Sequence, residues 1–241
     1  MSEMSFLDHL VEFRMRVIRS LIGVLVGFAL VYHFSEQLYN FLLQPLCRTF
    51  NDRCPVVYSG VAEPFLVYLK VGFVGGLFLA IPWIFYQLWM FISPGLHGNE
   101  KKWVVPFVFI ASFMFMAGSL LGYFFIFPFA FQFFASQAMA PISPMLSMSD
   151  YFSFASGLLF AFGFLFEIPV FVVLLNFIGL LSAKTLWKTW RYALAGIFIL
   201  SAIVTPADPY TMMMVGVPLS LLYMAALVIC SLSENFRKKP A

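Results

Sequence analysis

From Tyr151 to Phe177 the sequence runs YFSFASGLLFAFGFLFEIPVFVVLLNF, long enough to cross a bilayer, with one ionisable side chain, Glu167, inside it. About 20 mostly apolar residues suffice for a spanning helix. An acidic side chain near the middle of such a helix costs roughly 2.5–3.5 kcal/mol on insertion scales, so it is kept for function or to tie two helices together. Desolvation disfavours its charged form. Pro169, two residues on, removes a backbone donor and is expected to bend the helix there.

The rest of the composition agrees with a membrane setting. Hydrophobic residues make up 62% of the 241 and charged residues only 10%, against roughly a quarter charged in soluble domains. No polar stretch is long enough to bury a core of its own, which implies a single polytopic membrane domain over 1–241. The acidic N-terminal MSEMSFLDHLVEFRMR lacks a small-residue cleavage site and does not read as a removable signal peptide.

Taken in order, residues 1–16 form an amphipathic pattern that leads into a first span at about 17–34. SEQLYNFLLQPL follows as a second amphipathic segment, with Leu38, Phe41, Leu42 and Leu46 on its apolar face, ended by Pro45. Cys47 and Cys54 lie close enough in sequence to bridge if their loop faces an oxidising side; two free thiols are the other reading. Glu63-Pro64 opens the second span, at about 65–91, where Gly72 and Gly76 permit close packing. A third span at about 104–134 carries Pro106, Pro128, Gly118 and Gly122. Ser149 or Asp150 is expected to cap the fourth, at about 151–177. GLLSAKTLWKTWR reads as a basic turn before a fifth span at 192–204. The Thr205–Pro209 break and a sixth span at 210–230 complete the chain. Thirteen residues at 1.5 Å each reach roughly 20 Å, short of a hydrocarbon core of about 30 Å. Bilayer or water should therefore dip toward Asp208.

Of the 14 lysines and arginines, eleven fall on one side of this six-span plan, which puts both termini in the cytoplasm. Lys70 reads as a snorkelling side chain more readily than as a counter-ion to Glu167. His9, His33 and His97 lack metal-ligand spacing, no phosphate-binding loop is present, and no nucleophile–base pair can be assembled. Nucleic acid is not implied either, since the basic residues follow the membrane edge. Two acids, Glu12 and Glu100, stand among those basic residues. Paired carboxylates favour guanidinium through bidentate bonds; local pairs such as Glu12 with Arg16 are the plainer reading. A proton-coupled small-solute transporter using Glu167 and proline-interrupted spans is the alternative, although the two halves of the chain share no repeat.

Several motifs occur together in one order: His9-Leu-Val-Glu-Phe-Arg14, Gln44-Pro-Leu46, Pro82-x-x-x-Tyr-Gln-x-Trp-x-Phe-Ile-x-Pro94, Glu100 before two basic residues, Gly122-Tyr-Phe124 with Phe127-Pro-Phe-Ala130, Phe162-Gly-x-x-Phe-Glu-x-Pro169, and Thr205-Pro-x-Asp208. In these the chain resembles the TatC family, the six-span core of the bacterial twin-arginine protein translocase, over nearly its whole length. The resemblance implies an all-α membrane protein, a cupped bundle of six helices with the fifth and sixth short, in the bacterial cytoplasmic (inner) membrane. It implies a receptor for twin-arginine signal peptides of folded proteins, with no reaction or cofactor of its own. Glu12 and Glu100 would meet the arginine pair, Arg14 and Phe91 would lie on the same surface, and Glu167 would stand on the concave wall. TatA- and TatB-type single-span proteins are the implied partners, with Thr205 and Asp208 near that contact, further copies of the chain in the receptor complex, and the proton-motive force as driver. Met212 stands where the family usually has Gln, and Met224 where Glu commonly follows the span-six Tyr, so packing would replace hydrogen bonds there.

Overall fold

The computed structural model describes residues 6–50, 54–92, 104–136, 145–205 and 208–237, nearly all of them helical. Among the described residues eight α-helices follow one another: α1 (Phe6–Tyr32), α2 (Ser35–Thr49), α3 (Glu63–Ile92), α4 (Val104–Leu121), α5 (Phe127–Ser136), α6 (Met148–Phe177), α7 (Ala183–Val204) and α8 (Pro209–Arg237). A π-helical turn, Gly122–Ile126, joins α4 to α5. Pro128 explains the switch, because it has no N–H to give to the carbonyl four residues back. Among the described residues five helical stretches are long and apolar enough to cross a membrane: His9–Tyr32, Glu63–Ile92, Val104–Ser136, Met148–Phe177 and Pro209–Glu234. The sixth expected span, in α7, is not among them.

The helices depart from the expected boundaries in instructive places. The N-terminal amphipathic segment is continuous with the first span in α1. Pro45 does not end α2, which runs on to Thr49; the Thr49 hydroxyl donates to the Pro45 carbonyl at 2.9 Å. Neither Ser149 nor Asp150 is the cap of α6. Ser147 is, its Oγ accepting from the Asp150 amide at 3.2 Å. The supposed basic turn before 192 is helix, since Ser182 caps α7 by accepting from the Thr185 amide. Both α7 and α8 are longer than the expected spans at the ends remote from Thr205 and Asp208.

The chain divides into two compact units. In the first (1–44, 55–113, 145–156), α1 lies against α3. Their backbones nearly touch: a methyl on Gly27 would run into the Gly76 carbonyl oxygen, and one on Gly76 into the Phe28 amide. Val56–Val57 pair in parallel with Leu146–Ser147. Beside this pair the Glu63 carboxylate accepts from the Ser59 amide and hydroxyl, the Ser147 hydroxyl (2.7 Å) and the Ser149 amide (2.9 Å), so one side chain gathers two loops. Lys70 donates to the Ser149 hydroxyl at 3.0 Å. The Tyr151 hydroxyl donates to the Leu42 carbonyl, anchoring α2.

In the second unit (45–54, 114–144, 157–241) aromatic rings fill the places that glycine leaves. Phe162 and Phe166 of α6 cover Gly118 and Gly122, and Phe115 covers Gly163 in return. α7 and α8 pack together, with Phe198 over Gly216. At the other end of α7, Gly179 takes a left-handed φ of 79° and turns the chain after α6. Asn176 donates to Leu181 O (2.8 Å) and to Glu234 Oε1 (2.9 Å), and the same oxygen receives the Ala183 amide. Cys47 and Cys54 are joined by a disulfide.

Gly76→Ala should lower stability by about 1–3 kcal/mol, the usual cost of forcing atoms into a packed contact. Gly196→Ala, where an added methyl meets nothing within 4 Å, should be neutral or stabilising. Thermal unfolding of both variants in detergent checks the contrast; equal effects would mean that the α1–α3 approach is not a tight constraint.

Candidate functional site

The amphipathic start of α1 and the last turns of α3 build one surface. Glu12 Oε1 pairs with Arg16 at 3.0 Å, the local i,i+4 arrangement worth about 0.2–0.5 kcal/mol in isolated helices. Arg16 is also held from the other side, donating to Gln87 Oε1 at 3.3 Å. Gln87 is only 2% exposed, so its amide is fixed by packing and in turn fixes the guanidinium. The second Glu12 oxygen has no partner among the described residues, and the side chain stays 21% exposed. A half-open carboxylate of this kind can accept one more charge-assisted hydrogen bond.

Aromatic groups complete the surface. The His9 ring stacks on Phe91 with centroids 4.4 Å apart, and Phe13 approaches the same ring at 5.4 Å. Trp83 donates from its indole to the Arg19 carbonyl at 2.9 Å. Arg14 is exposed on α1. Glu12 and Phe91 therefore share one region, no described contact ties Arg14 to it, and Glu100 lies outside the described residues. Sequence reasoning missed Gln87 and His9 as parts of this surface. The available signal for Gln87 was a lone amide in an otherwise apolar helix.

Glu167 of α6 is 2% exposed, and its Oε1 has no hydrogen-bond partner in the structure. The glycine-rich face of α4 lies nearby, where Ser119 donates to Phe115 O and Leu159 O at 3.0 Å each. Such an oxygen is costly to leave unmet.

At the α7–α8 junction the polar groups are already used. The buried Thr205 donates to Ser201 O at 2.8 Å. Asp208 caps α8, accepting from the amides of Thr211 (2.9 Å) and Tyr210 (3.2 Å). These amide bonds hold its carboxyl below the usual range for aspartate. Met212 and Met224 are half-buried on α8. Among the described residues no group of three or more His, Cys, Asp or Glu is placed to hold a metal.

The family model for the Sec-independent protein translocase protein TatC matches residues 8–218. A Desulforapulum autotrophicum protein named Sec-independent protein translocase protein TatC is 41% identical over 223 residues, 92% of this chain and 83% of that protein. The Escherichia coli K12 protein of the same name is 34% identical over 217 residues, 90% of this chain and 84% of that one. A crystal structure described as the twin arginine translocase receptor TatC superposes with a TM-score of 0.75 at 30% identity, covering 94% of this chain and 99% of the other.

Asp208→Ala should lower the thermal midpoint in detergent at neutral pH, while Asp208→Asn, a comparable cap, should keep most of it. Because the folded carboxyl titrates low, its contribution is present above the unfolded aspartate value of about 3.9 and disappears as pH falls through the lower folded value. The gap between the original chain and the alanine variant should therefore close only in strong acid. A gap that closes near pH 6 would rule out this cap as its source.

Proposed function

The chain belongs to the TatC family of Sec-independent protein translocase proteins, and from that premise we propose that it is the membrane receptor for twin-arginine signal peptides of folded cargo. Membership favours protein translocation over the small-solute transport that an intramembrane carboxylate alone also suggested. The observation that carries the reading is the half-open Glu12, with one oxygen on Arg16 and the other turned to no described group. In this reading an incoming guanidinium takes the free oxygen while Glu100 supplies the second carboxylate. Gln87 restrains Arg16 so that it cannot rotate to cover both Glu12 oxygens. Phe91, clamped by His9 and Phe13, offers a flat apolar face to the residues that follow the arginine pair, and Arg14 edges the same surface.

The role is binding and assembly, without chemistry on a substrate. Single-span partners of the TatA and TatB type would meet the α7–α8 region near Thr205 and Asp208. Since both residues spend their hydrogen bonds inside the protein, contact there would rely on Met212, Met224 and the apolar helix faces. Glu167 would take a hydrogen bond from a polar group of a passing signal or partner helix. The setting would be the bacterial cytoplasmic membrane, with six spans, both termini inside, several copies in the receptor complex, and transport drawing on the proton-motive force.

Binding of a twin-arginine signal peptide to the purified protein, compared with a twin-lysine version, tests this directly. Loss of a charge-assisted bond of about 1.5–3 kcal/mol implies a weakening of roughly tenfold or more for Glu12→Gln, for Glu100→Gln and for the lysine peptide. Equal affinity for both peptides would sink the carboxylate clamp. Glu167→Gln, in contrast, should leave peptide affinity for the α1–α3 surface intact and reduce transport; unimpaired transport would remove Glu167 from the pathway.

A further inference from the structure

The outward side of α7 changes character abruptly along its length. Lys184, Trp187, Lys188 and Arg191 share one exposed stripe at helical spacing, and the stripe continues as Ala195, Ile199 and Ala202, also exposed. Tyr192, 80% exposed, marks the changeover. The opposite side, with Ala183, Leu186, Ile197 and Ser201, is buried. No carboxylate pairs with Lys184, Lys188 or Arg191 among the described residues, and the Arg191 guanidinium lies 5.6 Å from the centroid of the Trp190 ring. The helix N-terminus is not the attraction here, because Ser182 and Glu234 already occupy its first amides.

We propose that this stripe is a binding site for an anionic phospholipid. The headgroup phosphate is held by Lys188 and Arg191 with Lys184 on its outer side, Trp187 lies among these cations at headgroup level, Tyr192 sits at glycerol depth, and an acyl chain lies along Ala195, Ile199 and Ala202. Lys184 and Arg191 are separated by about 10 Å along the helix, a span their long side chains can close onto one headgroup. Amphiphilic character selects lipid over other anions: a free phosphate or an acidic peptide would satisfy the cations but would not also meet the apolar residues that follow them on the same stripe, on α7 upstream of the Thr205–Asp208 junction where the partner contact is placed. Aromatic side chains at the changeover are the usual residues of a membrane interface. The site is independent of signal-peptide recognition, which uses α1 and α3.

Native mass spectrometry of the detergent-purified protein with an equimolar mixture of phosphatidylglycerol and phosphatidylcholine tests the site. Retained phosphatidylglycerol should exceed phosphatidylcholine at least tenfold, on the basis of about fivefold per cation near an anionic lipid. Lys184→Gln/Lys188→Gln/Arg191→Gln should bring the two lipids close to parity. Lys184→Arg/Lys188→Arg should keep the preference, and so should Lys70→Gln, which removes a cation elsewhere. Parity in the original chain, persistence of the preference in the triple variant, or an equal loss with Lys70→Gln would each overturn the proposal. Displacement of phosphatidylglycerol by inorganic phosphate, but not by chloride at equal ionic strength, would show a phosphate site and overturn the lipid assignment.

Discussion

The contact between the Gly27 and Gly76 backbones sets the register on which the polar and aromatic surface of α1 and α3 depends. Eleven residues separate Gly27 from Arg16, and eleven separate Gly76 from Gln87. In an antiparallel pair those equal offsets, about three helical turns each, bring Arg16 and Gln87 opposite one another, and they do hydrogen-bond. The same register sets Trp83 against Arg19 and Phe91 against Phe13. A slip of one residue would rotate each side chain by about 100° and scatter the group. Small residues at one crossing point thus decide the placement of charged and aromatic groups roughly 16 Å away.

A second constraint explains why a single intramembrane acid stands apart from many hydroxyls. Ser20, Ser112, Ser119, Ser153, Ser156, Ser201 and Thr205 each donate to the carbonyl four residues back. Such hydroxyls are self-sufficient and need nothing from a neighbour. A carboxyl group on a longer stem has no comparable bond to its own helix, so Glu167 must find a donor elsewhere, and one of its oxygens has found none. Among the described residues Glu167 is the buried carboxylate with an unmet oxygen; Tyr39 and Ser220 keep unmet hydroxyls, while the hydroxyls named above are satisfied within their own helices.

Much of this was legible in the sequence because periodicity and glycine spacing report on helix faces. Gly72, Gly76, Gly118 and Gly122 identified packing faces, and the family motifs pointed to Glu12 and Phe91, which α1 and α3 bring to one surface. What sequence could not give was the far side of each contact. Gln87 is one amide among apolar residues until α1 brings Arg16 to it. Glu63 read as a helix start, yet it gathers two loops through partners more than 80 residues away. The basic segment before Tyr192 was misread as a turn because its charges suggested solvent. Its cap at Ser182 and the Glu234 carboxylate, contributed by the end of α8, make it helix.

That last correction changes how the α7–α8 pair can sit in a bilayer. From Tyr192 to Val204 the helix rises roughly 18 Å, well short of a hydrocarbon core of about 30 Å. The cationic turns before Tyr192 cannot sink to make up the difference without desolvating three charges. At the opposite end Asp208 holds its charge through two amide bonds, which favours the ionised group and resists transfer into hydrocarbon. If α7 crosses the bilayer with a charged band fixed at each end, the adjustment has to fall on the lipid or on water reaching in toward Thr205 and Asp208. A membrane thinned in this way would present a lower barrier to a hydrophilic segment, a consequence of direct use to a protein translocase.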